Sequence, residues 1–166
     1  AQRYLARHPD HPGRVVLAAT SPRFDLDLVG AEFRRVGGEA AEAAAREFWS
    51  RGTEAIGEYL EHCMPLYSVD PGDPDSLGRV VLNLDLMSRF IVGELRGLDL
   101  TPGLDQVTCP AMVLSGGMDP VCPAAMGEEI AAALTKAPVT FERIEGASHG
   151  DVLRRSEESI RRFVTA

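Results

Sequence analysis

CPAMVLSGGMDPVCP, residues 109–123, decides how this chain folds. Within it, residues 111–117 form a short apolar run that a proline introduces and a Gly-Gly pair ends. Such a run predicts a strand that is buried on both faces, as in a parallel sheet. Residues 14–20, RVVLAAT, predict a second strand of this kind. Residues 139–145, VTFERIE, predict a third strand of the sheet.

Helical patterns alternate with these strands. Residues 123–134 predict a helix with Pro123 in its first turn, residues 151–164 predict a closing helix, and residues 1–8 read as the end of another. The positions expected to face the sheet are Met126, Ile130, Ala133 and Leu134 in the first of these helices, and Leu153, Ile160, Phe163 and Val164 in the second. Strands and helices in this alternation predict right-handed crossovers and an α/β fold with a parallel sheet.

The middle of the chain, residues 24–95, has helical periodicity and little strand signal. Amphipathic helices are predicted over residues 39–50 and 53–64, with joints at Gly37-Gly38 and Arg51-Gly52. Their apolar stripes comprise Ala41, Ala44, Ala45, Phe48 and Trp49, then Ile56, Tyr59, Leu60, Cys63 and Met64.

The same region continues with a loop and one more helix. SVDPGDPDS, residues 68–76, has the composition of a loop. A further helix is expected over about residues 76–91. The sequence therefore predicts a helical insert between the first two strands.

Composition argues against several classes of function. Hydrophobic residues make up 45% and charged residues 25% of the chain, which is typical of a folded globular domain. A net charge of −8 without a basic stripe argues against a nucleic-acid partner, and no apolar run is long enough for a membrane span. The cysteines, Cys63, Cys109 and Cys122, lack metal-type spacing and predict free thiols in a reducing cytoplasm, with no metal site.

Three parallel strands with a helical insert make an incomplete sheet. One edge strand would expose apolar faces and unpaired backbone groups to water. We therefore expect the chain to be part of something larger.

Two polar residues follow consecutive strands of the predicted sheet. Asp119 follows the second strand and His149 the third. Parallel sheets place their ligand sites at the carboxyl ends of the strands, so these two side chains can meet there. An imidazole can take the proton of a hydroxyl nucleophile, and a buried carboxylate fixes the tautomer of that imidazole. Each residue also has a plainer interpretation, Asp119 as a turn or cap residue and His149 as a structural or solvated loop residue.

The sequence resembles the α/β-hydrolases, and among them the proline iminopeptidase-like serine hydrolases. The resemblance covers nearly the whole chain and is carried by AQRYLARHPDHPGRVVLAATSP (1–22), CPAMVLSGGMDPVCP (109–123), FERIEGASHG (141–150) and RRFV (161–164). It implies that Asp119 is the acid and His149 the base of a catalytic triad, without a metal or organic cofactor. It also implies that residues 1–23 and 95–166 form the C-terminal part of the hydrolase core, with the last three strands of its sheet, and that residues 24–94 form an inserted helical cap, or lid.

The chain departs from the family at the nucleophile. No G-x-S-x-G elbow occurs in residues 1–166, whereas in the family it lies a few residues before the position that Ala1 matches. Ser115 lies on the strand leading to Asp119 without an elbow around it, so we do not expect it to be the nucleophile. The oxyanion-hole donors would lie outside the chain as well. We expect a C-terminal portion of a hydrolase, inactive alone, whose partner is the N-terminal half of the same enzyme.

The substrate is less defined than the acid and base. Proline iminopeptidases bind the free amino group of their substrate with acidic residues, but the matching positions here hold Ser88 and Pro120. Glu94 lies near the first of these positions and Met118 near the second, so these four residues are the candidate substrate contacts. A small-molecule ester, amide or short peptide is expected as the substrate, and esterase, lactonase, amidase and aminopeptidase activities stay open.

Two alternatives keep the fold and change the function. An aspartate at the elbow would make the enzyme a dehalogenase or an epoxide hydrolase. A degenerate hydrolase, or a fragment that acts only by binding, would have no catalytic activity.

Overall fold

The chain folds around a three-stranded parallel sheet in a computed structural model that describes residues 1–70 and 77–166. The strands are β1 (Val15–Ala18), β2 (Ala111–Gly116) and β3 (Val139–Ile144), in that spatial order. Ala111 pairs with Val15 on one side and with Val139 on the other, so the three strands begin level with one another. The predicted α/β class and its parallel sheet are confirmed.

Helices lie between and after the strands. In chain order, the α-helices of the described residues are α1 (Gln2–Arg7), α2 (Leu26–Arg51), α3 (Ile56–His62), α4 (Leu84–Val92), α5 (Ala124–Ala133), α6 (Val152–Arg155) and α7 (Glu157–Thr165). Short 3₁₀ helices cover Gly52–Ala55, Met64–Tyr67, Leu77–Arg79, Glu94–Gly97 and Leu104–Gln106. Among the residues described, none of these helices has both the length and the apolar character needed to cross a bilayer.

Apolar clusters cover both faces of the central strand, β2, because successive residues of a strand point to opposite sides. On one face, Val113 belongs to a cluster with Leu5 of α1 and Ile130 of α5. On the other face, Leu114 belongs to a cluster with Val152 of α6. All residues of β2 are consequently buried, which explains its unbroken apolar run in the sequence.

The helix α5 lies very close to the sheet at Gly127. A Cβ atom on Gly127 would lie 2.1 Å from Ser115 Oγ and 3.1 Å from Phe141 Cε2. We expect Gly127→Ala to destabilise the protein by about 1–2 kcal/mol, because overpacking costs about 1–3 kcal/mol and alanine recovers only about 1 kcal/mol of helix propensity. Urea unfolding measures this loss. Ser115→Ala removes the closest contact, so the double variant should recover part of the loss, and equal stabilities of the single and double variants would contradict this explanation.

The segment from α2 to the 3₁₀ helix Glu94–Gly97 lies between β1 and β2 in the chain, and its buried residues form a cluster that also includes Met126 of α5. Phe33, Tyr59 and Ile91 are among the buried members of this cluster. Gly38 has a φ of +82° and divides α2 into two arms at one of the predicted joints. Glycine suits this position because a side chain disfavours positive φ.

The two ends of this insert meet beside the sheet. Arg23 and Asp99 form an isolated antiparallel bridge, and the N–H of Leu100 donates to the carbonyl of Pro22 at 2.7 Å. The chain therefore leaves and re-enters the sheet region at one place, near the ends of the segment predicted as a cap. That residues 24–94 act as a cap stays a prediction.

The helix predicted over about residues 76–91 is shorter in the structure, where α4 begins at Leu84. Asn83 precedes it, and its side-chain oxygen accepts a hydrogen bond from the N–H of Leu86 at 3.0 Å. This N-cap sets the start of the helix. The loop predicted over residues 68–76 falls mostly on residues 71–76, which lie outside the described residues.

Three apolar residues that were predicted to face inward are exposed, namely Leu60, Leu153 and Val164. The prediction for the closing helix was wrong because Ser156 separates α6 from α7, so that one continuous stripe does not run from Leu153 to Ile160. Leu153 is consequently 61% exposed. Leu60 lies on the outer side of α3, and Val164 lies in the last turn of α7.

Candidate active site

Asp119 and His149 meet at the carboxyl ends of β2 and β3. The imidazole Nδ1 of His149 donates to Asp119 Oδ2 at 2.9 Å. The other carboxylate oxygen, Oδ1, accepts the N–H groups of Val121 and Cys122, each at 2.8 Å. Three hydrogen bonds thus orient the carboxylate, and the carboxylate in turn orients the ring of His149.

Glycines bring the two loops into contact. A Cβ atom on Gly116 would lie 2.6 Å from the carbonyl oxygen of Ala147, so only glycine allows this close approach of the two backbones. Directly beyond it, the N–H of Met118 donates to the same carbonyl at 2.8 Å. Gly146 adopts a φ of +70° and turns the chain off the end of β3. The Gly-Gly pair before Asp119 is therefore part of what aligns the acid with the base.

Burial differs between the two side chains in the way an acid–base pair requires. The side chain of Asp119 is fully buried, whereas that of His149 is 28% exposed. A buried carboxylate is costly unless it is hydrogen-bonded, and the three donors around Asp119 offset that cost. Since Nδ1 of His149 is engaged by the carboxylate, Nε2 is the nitrogen suited to exchange a proton with a reacting group.

Electrostatics around His149 favour its protonated form. Burial by itself lowers the pKa of His149, but the hydrogen bond to Asp119 and the neighbouring Cys122 raise it, and the pKa is about 10. A histidine with a raised pKa binds its proton more tightly in the folded state than in the unfolded state. The pair therefore stabilises the fold fully below the ordinary histidine pKa of 6.5, and this contribution is lost as the pH rises toward 10.

We expect His149→Gln to lower the free energy of unfolding more at pH 6 than at pH 9. Urea unfolding of the wild type and the variant at both pH values measures the difference, and the comparison at equal pH cancels the other titrating groups. A difference that is the same at both pH values would contradict the raised pKa.

The insert contacts both loops of the site. Arg35 of α2 donates to the carbonyl of Gly117 at 3.0 Å, next to the acid. The ring of Tyr67 lies edge-on to His149, with 5.5 Å between the ring centroids, and its hydroxyl lies 2.7 Å from that of Tyr59. Burial raises the pKa of Tyr67 to about 12, so this hydroxyl stays protonated. Sequence reasoning missed Arg35 and Tyr67, because nothing in the spacing of the insert marks them.

The candidate substrate residues fall into two groups. Pro120 is buried next to Asp119, and the half-buried Met118 places its sulfur 3.6 Å from Nη1 of Arg35, so both belong to the turn that carries the acid. Ser88 instead packs against Gly52, where a Cβ atom would lie 2.6 Å from Ser88 Oγ. Glu94 is exposed and borders a cavity of about 610 Å³ on the outer side of α4. Their roles toward a substrate stay predictions.

Cys122 neighbours both residues of the pair, whereas the other reactive side chains are placed elsewhere. Ser115 is 2% exposed and lies next to the last residue of β2, where its side chain points to the face of the sheet beneath Gly127. All three cysteines are unpaired. In the described part of the chain, one group of side chains has its potential ligand atoms close enough together to hold a metal ion. This group lies on the surface of α3 and comprises Glu58, Glu61 and His62.

Solved structures identify the fold. No protein-family model matches the chain, and no curated protein matches it significantly in sequence. A thermophilic esterase from Thermogutta terrifontis is similar in structure, with a TM-score of 0.60, 21% identity, and coverage of 98% of this chain and 59% of the esterase. The enol-lactonase from Burkholderia xenovorans LB400 has a TM-score of 0.55 and 22% identity, with 99% of this chain and 61% of that chain covered.

An α/β fold family hydrolase from Bacillus anthracis is similar as well, with a TM-score of 0.57, 13% identity, and coverage of 94% of this chain and 59% of the hydrolase. The chain therefore has the C-terminal part of an α/β-hydrolase fold. It spans about 60% of the length of these solved chains. Identities this low establish a shared fold, and the chemistry has to be argued from the residues.

Proposed function

We propose that this chain is the C-terminal portion of a serine α/β-hydrolase that cleaves an ester or amide bond of a small substrate. The observation that carries the proposal is the 2.9 Å hydrogen bond between a fully buried Asp119 and a partly exposed His149 at adjacent strand ends. Asp119 supports its turn with Oδ1 and binds His149 with Oδ2, so a role in the turn alone does not explain the arrangement.

The proposed reaction has two steps. A serine, on the N-terminal half of the hydrolase, attacks the substrate carbonyl while Nε2 of the neutral form of His149 takes its proton. Because the pKa of His149 is raised, this neutral form becomes more populated as the pH rises. The side chain of Asp119 stabilises the imidazolium, which then protonates the leaving alcohol or amine as the acyl–oxygen or acyl–nitrogen bond breaks. Water, activated by the same imidazole, hydrolyses the acyl-enzyme and restores the serine. The residues of this chain handle the proton and form no covalent bond with the substrate.

The structural neighbours direct the choice of substrate. Two of them are an esterase and an enol-lactonase, and both of these activities concern oxygen esters. Ser88 and Pro120 stand where a proline iminopeptidase has acidic residues, so a free substrate ammonium would lack its carboxylate partners. We therefore favour an ester or lactone over an aminopeptidase substrate, with the insert acting as a cap over the site. The unpaired cysteines are compatible with a cytoplasmic enzyme.

A fluorophosphonate probe tests the proposal, because it labels activated serines covalently. The chain by itself should not be labelled, whereas the full-length hydrolase that contains it should be labelled and should hydrolyse p-nitrophenyl esters. Labelling of residues 1–166 alone would place the nucleophile inside the chain. A full-length protein that is neither labelled nor active would instead favour a non-catalytic hydrolase relative.

A further inference from the structure

Four consecutive residues of the insert bind the loop that carries His149. We call residues 66–69 the docking segment and residues 148–151 the base loop. The carbonyls of the docking segment accept two hydrogen bonds from the base loop, Ser148 Oγ to Leu66 at 2.5 Å and the N–H of Gly150 to Tyr67 at 2.7 Å. Its next two residues, Ser68 and Val69, donate to Asp151. The insert and the base loop are thereby joined on both sides of His149.

Asp151 is the residue on which these contacts converge. It is 0% exposed, and its Oδ2 accepts the N–H of Ser148 at 3.0 Å and that of Val69 at 2.8 Å. The hydroxyl of Ser68 donates to its Oδ1, and Nη2 of Arg154 lies 3.4 Å from the same oxygen. Burial by itself raises the pKa of Asp151, but these hydrogen bonds lower it below the usual range for a carboxyl group. The carboxylate is therefore ionised at neutral pH and fully occupied.

Asp151 precedes a helix but does not cap it with its side chain. Asp151 is the N-cap residue of α6, where a side-chain oxygen would normally accept an N–H of its own helix. Its side chain makes no such capping bond. The carboxylate turns back instead to the amide immediately before His149 and across to the insert. This arrangement favours positioning over helix capping.

We propose that Asp151 is a positioning residue that makes the alignment of His149 depend on docking of the insert. One carboxylate holds both the backbone next to His149 and the backbone of Val69. If the docking segment shifts, Ser148 and therefore His149 shift with it, and the hydrogen bond to Asp119 lengthens. The inference rests on the proposed function only in taking His149 as the catalytic base.

Substitutions in the full-length hydrolase test the inference. Asp151→Ala should lower kcat by about 100-fold, since a misplacement of about 1 Å can cost that much, while KM changes far less. Asp151→Asn should keep most of the activity. Its amide oxygen can accept both N–H groups, and Ser68 can use its existing 3.0 Å contact to the carbonyl of Asp70.

A second measurement separates positioning from stability. The downfield ¹H NMR signal of the His149 Nδ1 proton should shift or disappear in Asp151→Ala under conditions where the protein is folded, and Asp151→Asn should restore it. Asp70→Asn is the matched control, because it removes the ion pairs of Asp70 with Arg154 and Arg155 but none of the hydrogen bonds that Asp151 accepts, including the one from Arg154. It should leave kcat and the NMR signal unchanged.

The outcomes are distinct. A folded Asp151→Ala variant with wild-type kcat and an unchanged NMR signal would overturn the inference. If Asp151→Ala does not fold, Ser68→Ala provides the test, because it removes one hydrogen-bond donor to the carboxylate of Asp151. A lower kcat at constant KM would support the positioning role. An unchanged kcat would overturn it. A wild-type enzyme without hydrolytic activity would contradict the proposed function, and the NMR comparison would still test the positioning of His149.

Discussion

Replacing His149 by alanine should lower kcat of the full-length hydrolase by about 10⁴-fold or more, because the loss of a triad member has an effect of this size. The substitution removes the group that takes the proton of the nucleophile and returns it to the leaving group. It leaves the hydrogen bonds of Asp119 to Val121 and Cys122 in place, so the turn that carries the acid should persist. Steady-state kinetics on a p-nitrophenyl ester, together with thermal melting, measure both effects.

His62→Ala is the matched control for this experiment. His62 lies on α3 of the insert and forms one ion pair, with Glu58 at 3.4 Å. Its substitution should leave kcat unchanged. A folded His149→Ala enzyme that keeps more than about 1% of the wild-type kcat would remove His149 from the proposed mechanism.

The second large effect is expected for Asp119→Asn, which should lower kcat by about 10⁴-fold. The amide oxygen of asparagine can still accept the N–H groups of Val121 and Cys122, so its NH₂ group would face Nδ1 of His149. The imidazole would then have to accept at Nδ1 and carry its proton on Nε2. In that tautomer it cannot take a proton from the nucleophile.

Asp99→Asn provides a comparison for the same chemical change. Asp99 is an exposed aspartate whose Oδ1 accepts the N–H of Thr101 at 2.9 Å, so it also supports a turn, but it contacts no histidine. Its substitution should not alter kcat. If Asp119→Asn retained near-normal kcat in a folded enzyme, Asp119 would be a turn residue without a role in the reaction.

Part of the candidate site could be predicted because the sequence features that indicate it lie directly before Asp119 and His149. Asp119 and His149 each follow a strand after a glycine-containing turn, and parallel strands bring such ends to one edge of the sheet. The central strand, β2, could be predicted because burial on both faces requires an unbroken apolar run. The order of the two residues along the chain then suggested which is the acid and which the base.

Other features depend on contacts between distant parts of the chain, which no short stretch of sequence indicates. The docking segment lies about 80 residues before the base loop, and its bonds use mainly backbone groups, which every sequence carries. The end of α6 at Ser156 also escaped prediction, since the apolar spacing alone favoured one continuous helix.

Sequence by itself determined the parallel sheet, the helical insert and the two strand-end residues that can handle a proton. These features follow from the burial pattern of each element and from the geometry of parallel strands, and both can be read from short stretches of sequence. Only the tertiary structure decided how the site is held. The burial of Asp119, the edge-on contact of Tyr67 and the sharing of Asp151 between the insert and the base loop join segments far apart in the chain. Their physical reason is that buried polar groups must find hydrogen-bond partners wherever the packed chain supplies them.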